Sequence, residues 1–183
     1  MLSLMLLTPA NAARVYNPDT NKWENANERK TSGRRGSSIK KTIVSYETKQ
    51  RPGTIIIETS ERRLYLVLKN GKAMKYGVGV GREGFAWAGT NRISRKAEWP
   101  GWTPPAAMRK REPNLPAYMP GGIDNPLGAR ALYVGSTLYR LHGTTQPWTI
   151  GQAMSSGCIR LTNADITDLY DRVKVGAKII VRR

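Results

Sequence analysis

One histidine, one cysteine and one phenylalanine occur in 183 residues, and only 13 acidic side chains stand against 30 Lys and Arg. A lone cysteine excludes an internal disulfide framework and any cysteine-rich zinc site. A lone histidine means that chemistry built on imidazole and thiol has a single cast, His142 and Cys158. No stretch reaches the ~20 apolar residues needed to span a bilayer, so no transmembrane helix is expected. Internal repeats, zinc-finger spacings and RNP-like aromatic motifs are also missing, which leaves a nucleic-acid role resting on charge alone. The scarcity of acid gives a net charge of +17. That balance calls for an anionic partner (nucleic acid, anionic lipid or a carboxylate-bearing polymer) or describes a solvated basic exterior.

The chemistry-bearing residues lie close together. His142 opens His142-Gly143-Thr144, and sixteen positions on Cys158 sits in Ser155-Ser156-Gly157-Cys158-Ile159-Arg160. A thiol becomes a good nucleophile when a nearby imidazole takes its proton or stabilises the thiolate. A Cys/His pair met at random is more often two satisfied core residues, since free cysteine is among the most buried types. Here the flanking residues change that balance. Gly157 permits a sharp turn and close approach of a substrate. The N–H groups of Gly157 and Cys158 can converge on one spot and hold a developing oxyanion, with the Ser156 hydroxyl as a further donor. Arg160 supplies a fork-shaped cation for a substrate carboxylate, or a clamp on the loop that carries Cys158. Tyr139-Arg140-Leu141-His142 alternates as a strand does, and Gly143 breaks it. No acidic residue lies between Tyr133 and Asp165, so a backbone carbonyl is the expected orienter of His142, with Gly143 the nearest.

The segment from Leu141 to Leu161, LHGTTQPWTIGQAMSSGCIRL, resembles the active-site signature of L,D-transpeptidases with a YkuD-type catalytic domain. That signature pairs an HGT histidine with an S-x-G-C-x-R cysteine at this spacing. Arg63-Leu64-Tyr65-Leu66-Val67 resembles the family's early strand, and ISRKAEWPGWTPP (Ile93 to Pro105) resembles a segment of its envelope members. The likeness covers residues 52–183. Some relatives carry a second histidine just before the Gly-Cys pair; Ser156 stands there in this chain, so no role of that histidine transfers. The resemblance implies a mainly β, β-sandwich-like domain with one short helix after Cys158. It implies attack by Cys158 on the L-centre carbonyl of a peptidoglycan tetrapeptide stem, release of D-alanine with His142 as base and acid, and no cofactor or metal. The acceptor is left open: another stem, an envelope protein, a D-amino acid or water. Two other readings stand beside this one. A sortase-like Cys/His acyl transferase would have its histidine much farther upstream. A non-catalytic wall-binding module would have no need of either residue.

Three segments follow from composition. Residues 1–12 combine a short apolar run with Ala10-Asn11-Ala12, the small-x-small pattern of a signal-peptide cleavage site, although the usual positively charged start is missing. Export to the periplasm or envelope is therefore expected. Residues 13–51 carry 10 Lys/Arg against 4 Asp/Glu and read as a basic flexible leader. From Pro52 strands are expected over Thr54–Thr59, Arg63–Leu68, Ala73–Val80, Ala131–Gly135, Leu138–His142 and Val175–Val181, with a tight turn at Asn70-Gly71. Residues 99–128 hold most of the eleven prolines and read as a long loop, with Trp99 and Trp102 as binding rim or core anchors in equal measure. Asn163-Ala164-Asp165 caps a helix ending near Arg172.

Overall fold

The computed structural model describes residues 36–183 except 84 and 112, and the backbone of two earlier strands, β1 (Arg14–Asn17) and β2 (Lys22–Asn25). β1 and β2 form an antiparallel pair belonging to a separate compact unit, Met1–Arg34. The expected signal segment 1–12 lies outside the described residues.

The second unit, Arg35–Arg183, is mainly β. Its strands are β3 (Thr42–Ser45), β4 (Ile55–Glu58), β5 (Arg63–Val67), β6 (Lys72–Gly77), β7 (Val80–Gly81), β8 (Gly89–Glu98), β9 (Arg130–Val134), β10 (Arg140–His142), β11 (Ala153–Ser155), β12 (Ile159–Arg160) and β13 (Lys178–Arg182). Nine of them form one sheet in the order β12-β10-β9-β8-β13-β4-β5-β6-β3, and β11 pairs β7 separately.

β4 shows why this sequence makes this sheet. Ile55, Ile56 and Ile57 are all 0% exposed. A run of consecutive branched residues suits a strand covered on both faces, and β4 lies between β13 and β5. The β5–β6 connection turns at Asn70 and Gly71, whose φ angles are 60° and 63°, as the Asn-Gly pair demands. β8 is the ten-residue strand joining the two halves of the sheet. Its first part pairs β13 and its second part pairs β9, with a bulge between Ile93 and Arg95. A bulge bends a strand and increases its twist, which lets one strand serve two partners.

The sheet also closes back on itself. Gly79 and Arg160 exchange backbone hydrogen bonds, both 2.9 Å, tying β12 to the chain leaving β6. A single core fills the space between the halves, with Ile57, Leu64 and Leu66 meeting Leu132, Leu141 and Ile159. α2 (Asn163–Arg172) covers one side, with Ile166 and Leu169 at 0% exposure. Its N-cap is Thr162, whose Oγ1 accepts from the Asp165 N–H at 3.0 Å, one residue before the expected cap. Lys96 Nζ donates to the Tyr170 and Val173 carbonyls at the other end, a cation at a helix C-terminus.

The structure corrects several expectations. The leader contains β3, which extends the sheet beyond β6. The strand expected over Ala73–Val80 breaks into β6 and β7, because Gly79 turns to pair with Arg160. The Pro-rich segment contains a short helix, α1 (Ala106–Arg111), and is pinned by reciprocal 2.8 Å bonds between Trp102 and Met119. Of its tryptophans, Trp102 is 5% exposed and Trp99 45%, so only Trp102 is a core anchor.

Candidate active site

The site begins with a register. β10 and β12 run parallel, with Leu141 opposite Ile159 and His142 opposite Arg160. Leu141 and Ile159 enter the core, at 0% and 2% exposure. Side chains alternate across a strand, so His142 and Arg160 share the other face. Cys158 is the residue immediately before β12. The pairing therefore sets His142, at the end of β10, against the strand that Cys158 leads into.

His142 ends β10, and Gly143 turns the chain there. The imidazole Nδ1 lies 2.6 Å from the Gly143 carbonyl oxygen. A carbonyl only accepts, so Nδ1 carries the proton and Nε2 keeps its lone pair for another partner. Gly143 has to be glycine, because a Cβ there would run into Asn163 Oδ1 and sit 3.1 Å from the Ala129 nitrogen. Asn163 Oδ1 in turn accepts from the Ala129 N–H at 3.0 Å, locking the first turn of α2 against the segment that leads into β9.

Burial decides the charge of this imidazole. His142 is 6% exposed, and its pKa is pushed down to about 3 by burial first and by the Arg140 and Arg160 cations; the Gly143 hydrogen bond opposes them only in part. At neutral pH the ring is uncharged, and Nε2 carries no proton.

The loop before β12 is held by Ser155. Its Oγ donates to the Cys158 carbonyl at 2.6 Å and accepts from the Gly157 N–H at 3.2 Å. Gly157 has φ of 107°, and a Cβ on it would come within 2.6 Å of the Tyr139 ring. Trp87 Nε1 donates to the Gly157 carbonyl at 3.1 Å and stacks on Tyr139 at 4.9 Å between centroids. The Cys158 thiol is partly exposed and lies 3.9 Å from the Leu138 carbonyl.

This geometry revises the oxyanion arrangement read from sequence. The Gly157 N–H is already engaged by Ser155 Oγ and is not a donor for substrate in this state. The Cys158 N–H has no hydrogen-bond partner among the described residues. Ser156 is exposed on the loop. Arg160 is 3% exposed and packs on Gly79, where a Cβ would meet its Nε at 3.3 Å. The buried guanidinium thus lies where the loop meets the chain leaving β6. Sequence reasoning missed Ser155, Trp87 and Gly79. Ser155 stood in the motif, but nothing in the letters says which of two adjacent serines turns inward. Among the described residues no group of His, Cys, Asp or Glu is placed to hold a metal ion.

The structure thus holds an uncharged, tautomer-fixed imidazole at the end of β10 and a partly exposed thiol just before the neighbouring β12. The family model described as YkuD, the L,D-transpeptidase catalytic domain, matches residues 52–181. The Escherichia coli K12 protein named "Probable L,D-transpeptidase ErfK/SrfK" is 40% identical over 134 residues, which is 68% of this chain and 42% of that protein. The chain thus spans less than half the length of such curated relatives. A Brucella melitensis crystal structure, described as a probable carnitine operon oxidoreductase, is 42% identical, with 79% of this chain and 94% of that one covered and a TM-score of 0.54. An L,D-transpeptidase structure from Mycobacterium smegmatis shares the fold at 20% identity, with 71% and 58% covered and a TM-score of 0.54. The chain belongs to the L,D-transpeptidases with a YkuD-type catalytic domain.

Proposed function

We propose that the protein is a cysteine-dependent peptidoglycan L,D-transpeptidase, with Cys158 as nucleophile and His142 as general base and acid. The observation that carries this reading is the His142 hydrogen bond to the Gly143 carbonyl, combined with the register that sets β10 beside the start of β12. The carbonyl holds Nδ1–H, so Nε2 is the atom that takes the thiol proton. Sγ then bonds to the L-centre carbonyl carbon of the donor stem, and the carbonyl oxygen becomes an oxyanion. The Cys158 N–H is the donor nearest this event, and Ser156 adds a hydroxyl. Collapse of the tetrahedral intermediate breaks the bond to D-alanine, whose amine leaves with the proton held on Nε2. An acceptor amine attacks the thioester, gives its proton to Nε2 and releases the thiol. A stem amine yields a 3→3 cross-link, an envelope protein or D-amino acid yields attachment, and water yields carboxypeptidase activity. None of these steps needs a cofactor.

The basic composition, +17 overall, suits work on an anionic wall polymer outside the cytoplasm, and export follows from the Ala10-Asn11-Ala12 pattern. Among the described residues no helix is long and apolar enough to cross a membrane. The oxidoreductase description of the Brucella protein is that protein's own; the SSGCIR and HGT segments carry the acyl-transfer reading here. The test is incubation of the purified protein with a disaccharide-tetrapeptide, followed by mass analysis of products. Cross-linked dimer or loss of D-alanine is expected from the wild type and neither from Cys158→Ala. A carbapenem should acylate the wild type once, at Cys158. An adduct that survives in Cys158→Ala places the nucleophile elsewhere and ends the proposal.

A further inference from the structure

The cationic side chains are not spread evenly. A cleft of about 680 Å³ lies where the segment leading into β4, the first half of β8, the end of α2 and the start of β13 meet. Six of its eleven lining residues are Lys49, Arg51, Arg92, Arg172, Lys174 and Lys178, and no carboxylate lines it. With 30 Lys and Arg in 183 residues overall, the cleft is about three times richer in cations than the chain.

Among the described residues, few of these charges meet a carboxylate. Arg172 lies 3.0 Å from Asp168, and no other ion pair among the described residues involves a cation of this cleft. Lys178 Nζ donates to Gln50 Oε1 at 3.0 Å, and Arg92 Nη1 donates to the Gly176 carbonyl at 2.9 Å. Those neutral acceptors fix the side chains and leave the charges standing. Arg92 and Lys178 are also direct cross-strand partners on β8 and β13. Like charges placed opposite each other weaken a sheet, and an anion seated between them reverses that repulsion. β8 is three strands from β12 in the sheet, so the cleft is not part of the Cys158 site.

We infer that this cleft is a second binding site, and that its ligand carries clustered phosphates. A phosphoryl group brings about −1.5 to −2 charge and three acceptor oxygens, so two or three balance the five remaining cations. Singly charged carboxylates would have to be packed five to the cleft. Arg51 and Arg92 offer the planar fork that matches phosphate oxygens. The source is a soluble phosphate-bearing polymer or a membrane of anionic phospholipid. The inference does not depend on the reaction at Cys158.

The experiment titrates the full chain with tripolyphosphate, with citrate, and with vesicles of phosphatidylglycerol in phosphatidylcholine, at about 0.15 M salt. Lys49→Gln, Arg51→Gln and Lys174→Gln are combined in one variant. Lys69→Gln, Lys72→Gln and Lys110→Gln are combined in a second that loses the same charge elsewhere. The cleft variant should bind tripolyphosphate about tenfold or more weakly, and the control variant within about twofold of wild type. Citrate should bind the wild type at least about tenfold more weakly than tripolyphosphate. Vesicle binding lost only in the cleft variant identifies lipid headgroups as the source; tripolyphosphate binding without vesicle binding identifies a soluble polymer. Equal losses in both variants, or no tripolyphosphate binding by the wild type, overturn the site, and citrate binding as tightly overturns the phosphate assignment. Carbapenem acylation of Cys158 should be unchanged in both variants, which separates a failure here from a failure of the proposed reaction.

Discussion

The charge state of His142 can be read from stability. In an unfolded chain an imidazole titrates near 6.5; in the folded protein burial and the Arg140 and Arg160 cations hold it down at about 3. Between those values the unfolded state binds a proton that the native state refuses, so acid favours unfolding. The stability linked to His142 is fully present above the unfolded value and falls as pH drops through it. From pH 7 to pH 5 the loss is about 2 kcal/mol, at ~1.4 kcal/mol for each pH step below 6.5. The sequence makes the experiment clean, because no second histidine titrates in this window. Urea unfolding at pH 7, 6 and 5 should show the wild-type midpoint dropping by about 1 M for a typical slope of roughly 1–3 kcal/mol/M. His142→Gln should lack that share of the drop. Parallel curves for the two proteins would refute the burial argument. The opposite trend, with acid stabilising the wild type relative to His142→Gln, would mean an imidazolium held beside a thiolate, and the neutral-base mechanism would fall.

Two further substitutions probe the loop that carries the nucleophile. Arg160→Lys keeps the charge but loses the fork packed on Gly79, and it should slow both stem turnover and the reaction of Cys158 with a small neutral alkylating agent; a normal alkylation rate with impaired stem turnover would restore the carboxylate-binding role. Gly157→Ala forces an L side chain to φ of 107° and against Tyr139, and should cost about 1–2 kcal/mol of stability with loss of acylation by carbapenem; thermal unfolding and acylation rates equal to wild type would show that the turn is not needed.

The parts of the fold legible in the sequence are those whose residues announce their own environment. The Ile55-Ile56-Ile57 run reads as a strand buried on both faces, and Asn70-Gly71 reads as a turn with positive φ. The helix after Cys158 is visible from the spacing of Ile166, Leu169 and Val173. β8 was hidden because GTNRISRKAE contains a single buried position, Ile93. Its identity comes from pairing on both edges, with β13 and β9, which is a property of the assembled sheet. β3 was hidden for a related reason, since Ile43 is 56% exposed and the strand sits in a basic, polar stretch. At the candidate site, the Gly143 carbonyl was readable as the partner of His142 because no acidic residue lies nearby in sequence. The capture of the Gly157 N–H by Ser155, and the burial of Arg160 against Gly79, depend on how a three-dimensional turn closes, and no local pattern encodes them.

β3 has a consequence for where this domain can be cut. The family match begins at residue 52, yet the strand that covers the outer side of β6 lies at Thr42–Ser45. A chain trimmed at residue 52 would keep every residue of the candidate site and lose that cover. β6 would then present a bare ladder of N–H and C=O groups six residues long, a template on which a second molecule can pair. With β3 in place the outermost strand is only four residues long and is preceded by Lys40 and Lys41, and short, lysine-flanked edges resist such pairing. The last part of the segment expected as a flexible leader is therefore an edge strand that closes off β6.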